Sequence, residues 1–288
     1  MSDVKRFEIP GHVSLVEGKG GLVKVVIHTA TSEAEIYLHG AHVTYFQKKG
    51  EEPLLFTSAA SEFASEKPIR GGVPVIFPWF GPREGLAAHG FARTVEWNLS
   101  ETSLLPDGVV SLRFSLPAVE FYDVEFRVTV GEQLTMELVV MNTGARDTIF
   151  ETCFHTYFQI SAIDAISITG LQNSGYFDKV NNAGSLEVSP SIRIGSEVDR
   201  VYFDTVATVE ILDPGFARKI RIEKSGSNST VVWNPWIEKS KRMPDFGDDE
   251  YLQMVCVESG NVAKNQITLP PGKRTALKVV VSSEKMIN

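Results

Sequence analysis

The stretch "EFRVTVGEQLTMELVVMN" (125–142) decides the fold class. Apolar and polar residues alternate through "EFRVTV" (125–130) and again through "LTMELVVMN" (134–142). Successive side chains of a strand point to opposite faces, so a period of two marks a β-strand with one face buried. The same period returns in "GLVKVVIHT" (21–29), "VVSLRFSLP" (109–117), "VATVEIL" (206–212), "KIRIEK" (219–224), "STVVWN" (229–234), "QMVCVES" (253–259) and "TALKVVVSS" (275–283). Turn formers separate the runs at "LPDG" (105–108), "NTG" (142–144), "DPG" (213–215) and "SGSN" (225–228). Those residues supply the backbone angles that turns need. Amphipathic helices are scarce, and "SAASEFASE" (58–66) is the short candidate. Many short strands with turns between them predict an all-β chain built as a large antiparallel β-sandwich. No linker, repeat or low-complexity run interrupts it, so residues 1–288 are expected to form a single domain.

Composition narrows the function. The 288 residues are 43% hydrophobic, enough for a sizeable core. The formal charge is −8 with no basic block, which argues against nucleic acid as a partner. An acidic surface repels anions, so an anionic ligand would need a locally positive pocket. The two cysteines, Cys153 and Cys256, make no disulfide framework and match no zinc-ligand spacing. They are expected to be free thiols packed as small apolar groups. The N-terminus carries no signal-peptide pattern, and no stretch has the length of a membrane-spanning helix. The expectation is a cytoplasmic protein without a membrane partner.

Three stretches depart from the plain strand pattern. "KPIRGGVPVIFPWFGPREGLAAHGFARTVEW" (67–97) is rich in Gly and Pro and carries Arg70, Arg83, His89 and Arg93 among aromatics. Long irregular segments of this kind are often functional. "FETCFHTYF" (150–158) sets His155 in what otherwise reads as a half-buried strand. "LQMVCVESGNV" (252–262) sets Glu258 at the end of an apolar strand. Residues i and i+2 share a strand face, so Cys153 faces with His155 and Cys256 with Glu258 if both strands run through. A core histidine satisfied by a partner and a carboxylate at a sheet rim are the plain alternatives.

Imidazole and carboxylate together can serve as acid and base near neutral pH. As metal ligands they would want a third donor at regular spacing. "HGAH" (39–42) does not supply one, because its i, i+3 spacing puts His39 and His42 on opposite faces of a strand. No G-x-S-x-G elbow, P-loop or G-x-G-x-x-G occurs.

The segments "KPIRGGVPVIFPWFGP" (67–82), "HGFAR" (89–93), "ETCFHTYF" (151–158), "EVDRVY" (197–202), "VVWNPW" (231–236) and "MVCVESGNV" (254–262) occur in the order of a known family. The chain resembles the aldose 1-epimerase (galactose mutarotase-like) superfamily, and more closely its hexose-6-phosphate mutarotase branch. The arginine-bearing first segment joined to "HGFAR" is the most specific part of the match.

The resemblance implies a supersandwich of antiparallel sheets holding a sugar phosphate in an open cleft. The implied reaction interconverts the α and β anomers of a hexose 6-phosphate, glucose 6-phosphate first among them. His155 matches the family's general acid and Glu258 its general base. His89 and Asp199 match sugar-binding positions, and Arg70 and Arg93 match arginines that hold the phosphate. Trp79 stands where some relatives carry a polar residue, which leaves its substrate contact open. Glu258 would take the proton of the C1 hydroxyl while a protonated His155 gives one to the ring oxygen. Rotation about C1–C2 and reversal of the steps yield the other anomer. No cofactor and no metal is expected, and a monomer is expected. The alternatives are an aldose 1-epimerase acting on unphosphorylated sugars and a non-catalytic carbohydrate-binding protein.

Overall fold

A computed structural model of the chain describes residues 5–286. Two large antiparallel sheets face each other. One has nine strands in the order Ser191–Ile192, Ser167–Thr169, Val209–Asp213, Arg218–Ser225, Arg274–Lys285, Leu134–Asn142, Tyr122–Val130, Val110–Ser115 and Asn98–Leu104. The other has eight strands. Its main path runs Ala183–Leu186, Gly175–Asp178, Val198–Phe203, Ser229–Asn234, Met254–Asn261, Thr152–Phe154 and Val75–Ile76. Tyr157–Gln159 also pairs with Met254–Asn261. A four-stranded meander, Val13–Glu17, Val23–His28, Ser32–Tyr37 and His42–Lys48, adds its inner face to the same core.

The alternating runs become these strands because each has one face to bury. Leu134–Asn142 pairs residue for residue with Tyr122–Val130 across the short "GEQ" connection. Its Leu134, Met136, Leu138 and Val140 are all buried between the sheets. The main core runs from Val13 to Val281, and Trp97, Phe114, Phe126 and Phe154 are among its bulkiest members. The antiparallel sandwich expected from periodicity is the observed architecture.

The eight-stranded sheet departs from a half-buried sheet in one respect that matters for function. Both of its faces are covered in its centre, and every residue of Ser229–Asn234 and Met254–Asn261 is buried. The back face gives Phe154, Phe158, Val232, Val255 and Val257 to the main core. The front face carries two smaller apolar clusters. Tyr157, Trp233, Cys256 and Met254 pack with Phe56, Phe246 and Tyr251. Ile76, Cys153, Val201, Val231 and Val262 form the second. The segment 150–158 is therefore buried on both faces rather than half-buried, and strand Met254–Asn261 continues three residues past Glu258.

Two local expectations are corrected. Residues 58–66 form no helix. Tertiary partners hold the segment in irregular backbone instead: Ser58 N donates to Arg70 O, Ala59 N to Glu250 Oε1, and Ser61 Oγ accepts from Arg70 N. The chain turns within "HGAH", with Gly40 at φ 73° and Ala41 at φ 44°, so strand spacing does not relate His39 to His42, which opens strand His42–Lys48. Both imidazoles reach the same segment, donating through Nε2 to Lys67 O and Gly71 O at 2.7 Å each. They fasten the start of the irregular 67–97 stretch. The α-helix present, Trp236–Ser240, lies where no periodicity announced one.

Phe126 is fully buried against Trp97, Phe114 and Phe154. Phe126→Ala should lower unfolding stability by about 3–5 kcal/mol, the usual cost of emptying an aromatic core site, as read from urea melts. A loss below about 1 kcal/mol would mean that this layer is loosely packed.

Candidate active site

The site is built by rows of side chains crossing the front of the eight-stranded sheet. Strand Met254–Asn261 pairs with Thr152–Phe154 through Cys153↔Gly260 and Phe154↔Ser259. It pairs with Tyr157–Gln159 through Tyr157↔Cys256 and Phe158↔Val255. The register is the same on both sides of the gap, so His155 stands directly across from Glu258. On its other side Glu258 pairs with Val231, which pairs with Val201. The row on one flank reads Asp199, Trp233, Cys256, Tyr157. The row on the other reads Phe203, Ser229, Gly260, Cys153, Ile76. Directly opposed residues on neighbouring strands are the closest side chains a sheet offers. His155 Nε2 lies 3.3 Å from Glu258 Oε1.

A cleft of about 240 Å³ opens over this pair, lined by Arg70, Phe80, His89, His155, Lys179, Asp199, Trp233, Lys239, Met243 and Glu258. A larger hollow of about 600 Å³ elsewhere is lined by Glu51, Glu52, Arg218 and Lys285 among others. It brings no acid–base pair together, and the guanidinium of its Arg218 is spent on the backbone carbonyls of Glu52, Pro53 and Gln159.

Five of the seven residues singled out in the sequence line the cleft: Arg70, His89, His155, Asp199 and Glu258. Arg93 and Trp79 do not. Arg93 Nη2 donates to Ala88 O at 2.8 Å, and its buried Nε has no partner. Trp79 Nε1 donates to Ala87 O at 3.0 Å. These two residues grip the exposed loop that precedes His89. Arg70 is already engaged, with Nε and Nη2 on the Asp245 carboxylate and Nη1 on the Tyr157 hydroxyl. Sequence reading missed Lys179 and Lys239. Lys179 Nζ lies 3.6 Å from Asp199 Oδ1 and 4.7 Å above the Phe80 ring. Lys239 Nζ sits 2.9 Å from Glu197 and 3.8 Å from Asp199. Lys179 follows a strand end and Lys239 sits in the short helix, and no motif marks either position.

Burial sets the protonation of the pair. Glu258 is 1% exposed, and burial pushes its carboxyl well above the ordinary range, with Lys179 pulling the other way. Burial pushes His155 well below the ordinary imidazole range, and His89, Arg93 and Arg70 add to the effect. Stacking orients the His155 ring: it lies on Tyr157 with centroids 4.8 Å apart and meets Trp233 edge-on. His89 is lowered to about 3, by burial first and then by Arg93, Lys179 and Arg70. Its Nδ1 accepts from Gly81 N at 3.3 Å, so the neutral ring carries its hydrogen on Nε2. His89 adopts φ 66°, a left-handed conformation uncommon for a residue with a side chain.

Donor atoms of His155, Cys256 and Glu258 lie within 4.8 Å of one another, a set a divalent cation could use. The positive charge of Arg70, Arg93 and Lys179 around the pair works against one.

An antiparallel β-sandwich here holds an imidazole and a carboxylate in contact at the floor of a polar cleft, an arrangement that could serve as acid and base toward a small polar ligand. The comparisons give the family. The chain belongs to the aldose 1-epimerase family, whose pattern matches residues 24–282. A Cenchrus ciliaris protein, provisionally named a glucose-6-phosphate 1-epimerase, is 36% identical over 93% of this chain and 88% of its own. An Escherichia coli K12 protein with the same provisional name is 34% identical over 84% of each chain. A crystal structure from Salmonella typhimurium, described provisionally as a mutarotase, superposes with a TM-score of 0.89 at 28% identity, covering 96% of this chain and 95% of that one.

Both cysteines are buried and unbridged. Cys153 lies opposite Gly260, four residues along the strand from Cys256, or about 13 Å at the rise of a strand. A disulfide needs Cα atoms within about 7 Å. Thiol titration of the denatured, unreduced protein should therefore count two free thiols, and a count of none would contradict this register.

Proposed function

We propose that this protein interconverts the α and β anomers of a hexose 6-phosphate, with glucose 6-phosphate as the substrate, by acid–base opening and closing of the sugar ring. The single observation that carries the chemistry is the 3.3 Å contact between His155 Nε2 and Glu258 Oε1 at the floor of the cleft. Ring opening needs one group to remove the C1 hydroxyl proton and another to protonate the ring oxygen, two atoms on the same carbon. Two titratable atoms this close can serve both oxygens at once. The pair needs one proton in total, and the direct contact lets that proton sit on either partner.

The phosphate preference rests on the cations facing the cleft, in a chain whose net charge is −8. Arg70, Lys179 and Lys239 line it. A phosphate held there would offset the positive charge that depresses His155 and favour the imidazolium that acts as acid. His89 and Asp199 offer a donor and an acceptor for sugar hydroxyls. The provisional names of the relatives point to the same substrate. The main core, which runs from Val13 to Val281, supports reading the chain as one domain. Two thiols held apart suit a reducing cytoplasm. No helix among the described residues is long and apolar enough to cross a membrane. One observation favours the unphosphorylated-aldose reading instead: Asp245 already neutralises Arg70. Exchange spectroscopy on the anomers of glucose 6-phosphate, glucose and galactose decides between them.

With saturating substrate, Glu258→Gln and His155→Ala should each slow anomer exchange by about a hundredfold or more while the fold survives. Near-native turnover in either variant would end the role given to that residue. In the wild type the one-proton state runs from the lowered His155 to the raised Glu258. The rate should therefore hold as pH falls to about 6.5, the usual imidazole value, and decline only below it, after correction for the substrate phosphate's own ionisation near pH 6. A decline already complete by about pH 7 would contradict burial as the governing effect.

Arg70→Ala should weaken glucose 6-phosphate binding by about 1.5–3 kcal/mol, the scale of a hydrogen bond to a charged group, and leave glucose turnover nearly unchanged. Lysine should restore only part, because a point charge lacks the planar fork. Equal losses on both sugars would favour the unphosphorylated substrate.

A further inference from the structure

The carboxylate of Glu258 is held in an unusual way. Carboxylates buried this deeply are ordinarily met by backbone N–H groups or a guanidinium. Here Oε1 faces His155 Nε2, and Oε2 accepts from the Cys153 thiol at 3.6 Å. Among the described residues no other hydrogen bond reaches either oxygen. Cys153 is fully buried, and Glu258 is 1% exposed.

The sheet explains how the thiol gets there. The residue directly opposite Cys153 is Gly260, and Glu258 is its diagonal neighbour on the same face. A Cβ on Gly260 would meet the Thr152 carbonyl oxygen, and also the Cys153 Cβ at 2.8 Å and its Sγ at 2.9 Å. The space a side chain would fill at position 260 is thus shared by the Thr152 carbonyl and the cysteine, whose thiol reaches Glu258. Gly260 has no positive φ, so glycine is required there by the close approach of Thr152 O together with the Cys153 side chain.

We propose that Cys153 is a positioning residue for Glu258: its S–H grips one carboxylate oxygen and turns the other toward His155 and the cleft. A thiol is a weak donor, so it orients the carboxylate while withdrawing little of its electron density. A hydroxyl or a backbone N–H would hold the group as firmly and make it a poorer base. The catalytic meaning of this contact rests on the proposed role of Glu258, but the contact can be tested without it.

The experiment follows the Glu258 carboxyl carbon by NMR in protein labelled at glutamate, with Glu258→Gln assigning the signal. Wild type, Cys153→Ala, Cys153→Ser and Cys256→Ala are compared, each checked by thermal melts. A hydrogen bond to the charged form lowers a carboxyl's titration, so Cys153→Ala should move it to higher pH by about half to one unit. Cys153→Ser keeps a donor and should return it to the wild-type value or below. Cys256→Ala removes a thiol of the same size that makes no such bond, and should leave the titration where it was. In anomer exchange Cys153→Ala should lower kcat about tenfold with KM little changed, and move the limb of the pH–rate profile that Glu258 governs. Serine should recover most of that loss. Should the protein prove inactive on every sugar, the NMR titration still decides the contact. Alanine and serine variants that titrate alike, or a kcat loss with no movement of the titration, would reduce Cys153 to packing and overturn the proposal.

Discussion

The pairing of residues 152–159 with strand Met254–Asn261 is the constraint on which the rest of the site depends. One continuous register does two jobs because successive side chains leave the sheet on opposite faces. Phe154, Phe158, Val255 and Val257 go to the back and close the main core. Cys153, His155, Tyr157, Cys256 and Glu258 go to the front, where His155 and Glu258 line the cleft. A slip of one residue would exchange these sets, burying the acid–base pair in the core and exposing phenylalanines. The hydrophobic effect that assembles the sandwich therefore also fixes the chemistry. Glu151, just before the paired segment, ties the surroundings to the same strands: its carboxylate accepts from Phe80 N and from Ala263 N. The irregular 67–97 stretch is thus anchored at its head by two histidines and near its middle by a glutamate.

Charge is arranged against the grain of the whole chain. The protein is acidic, yet Arg70, Lys179 and Lys239 converge on one small hollow. Each is steadied by a carboxylate at its side, Asp245 for Arg70 and Asp199 with Glu197 for the lysines. Those pairs offset part of the positive charge and hold the long side chains in place. An arriving anion would compete with Asp245 and Asp199 for the same donors. The selectivity of the site then depends on how readily those carboxylates yield, as well as on the number of cations.

The sandwich was legible from periodicity because the strands of the nine-stranded sheet each bury one face, and Leu134–Asn142 matches its sequence run at both ends. The centre of the other sheet was less so. Its strands are buried on both sides, so alternation no longer marks the faces. His155 and Glu258 were conspicuous as titratable residues in apolar surroundings, but their contact is a matter of register, which one strand's sequence does not carry. Lys179 and Lys239 were invisible because surface lysines are common and only tertiary structure turns these two inward. The "HGAH" turn depends on Ala41 taking a positive φ that its residue type disfavours. Arg93 shows the opposite gap. Its place in an arginine-bearing loop was readable, but the direction of its side chain was not.

The floor of the site has a consequence for how this protein moves. Every residue of Met254–Asn261 is buried, and the strand has paired neighbours on both of its edges. Opening such a strand requires breaking the sandwich, so its amides belong to the slowest-exchanging class, those released only by global unfolding. Cooperative subunits of lower stability must lie elsewhere, in the exposed loop at 83–88 that Trp79 and Arg93 hold by single hydrogen bonds. Glu258 thereby stands on the last part of the molecule to melt, while the segment leading to His89 is among the first.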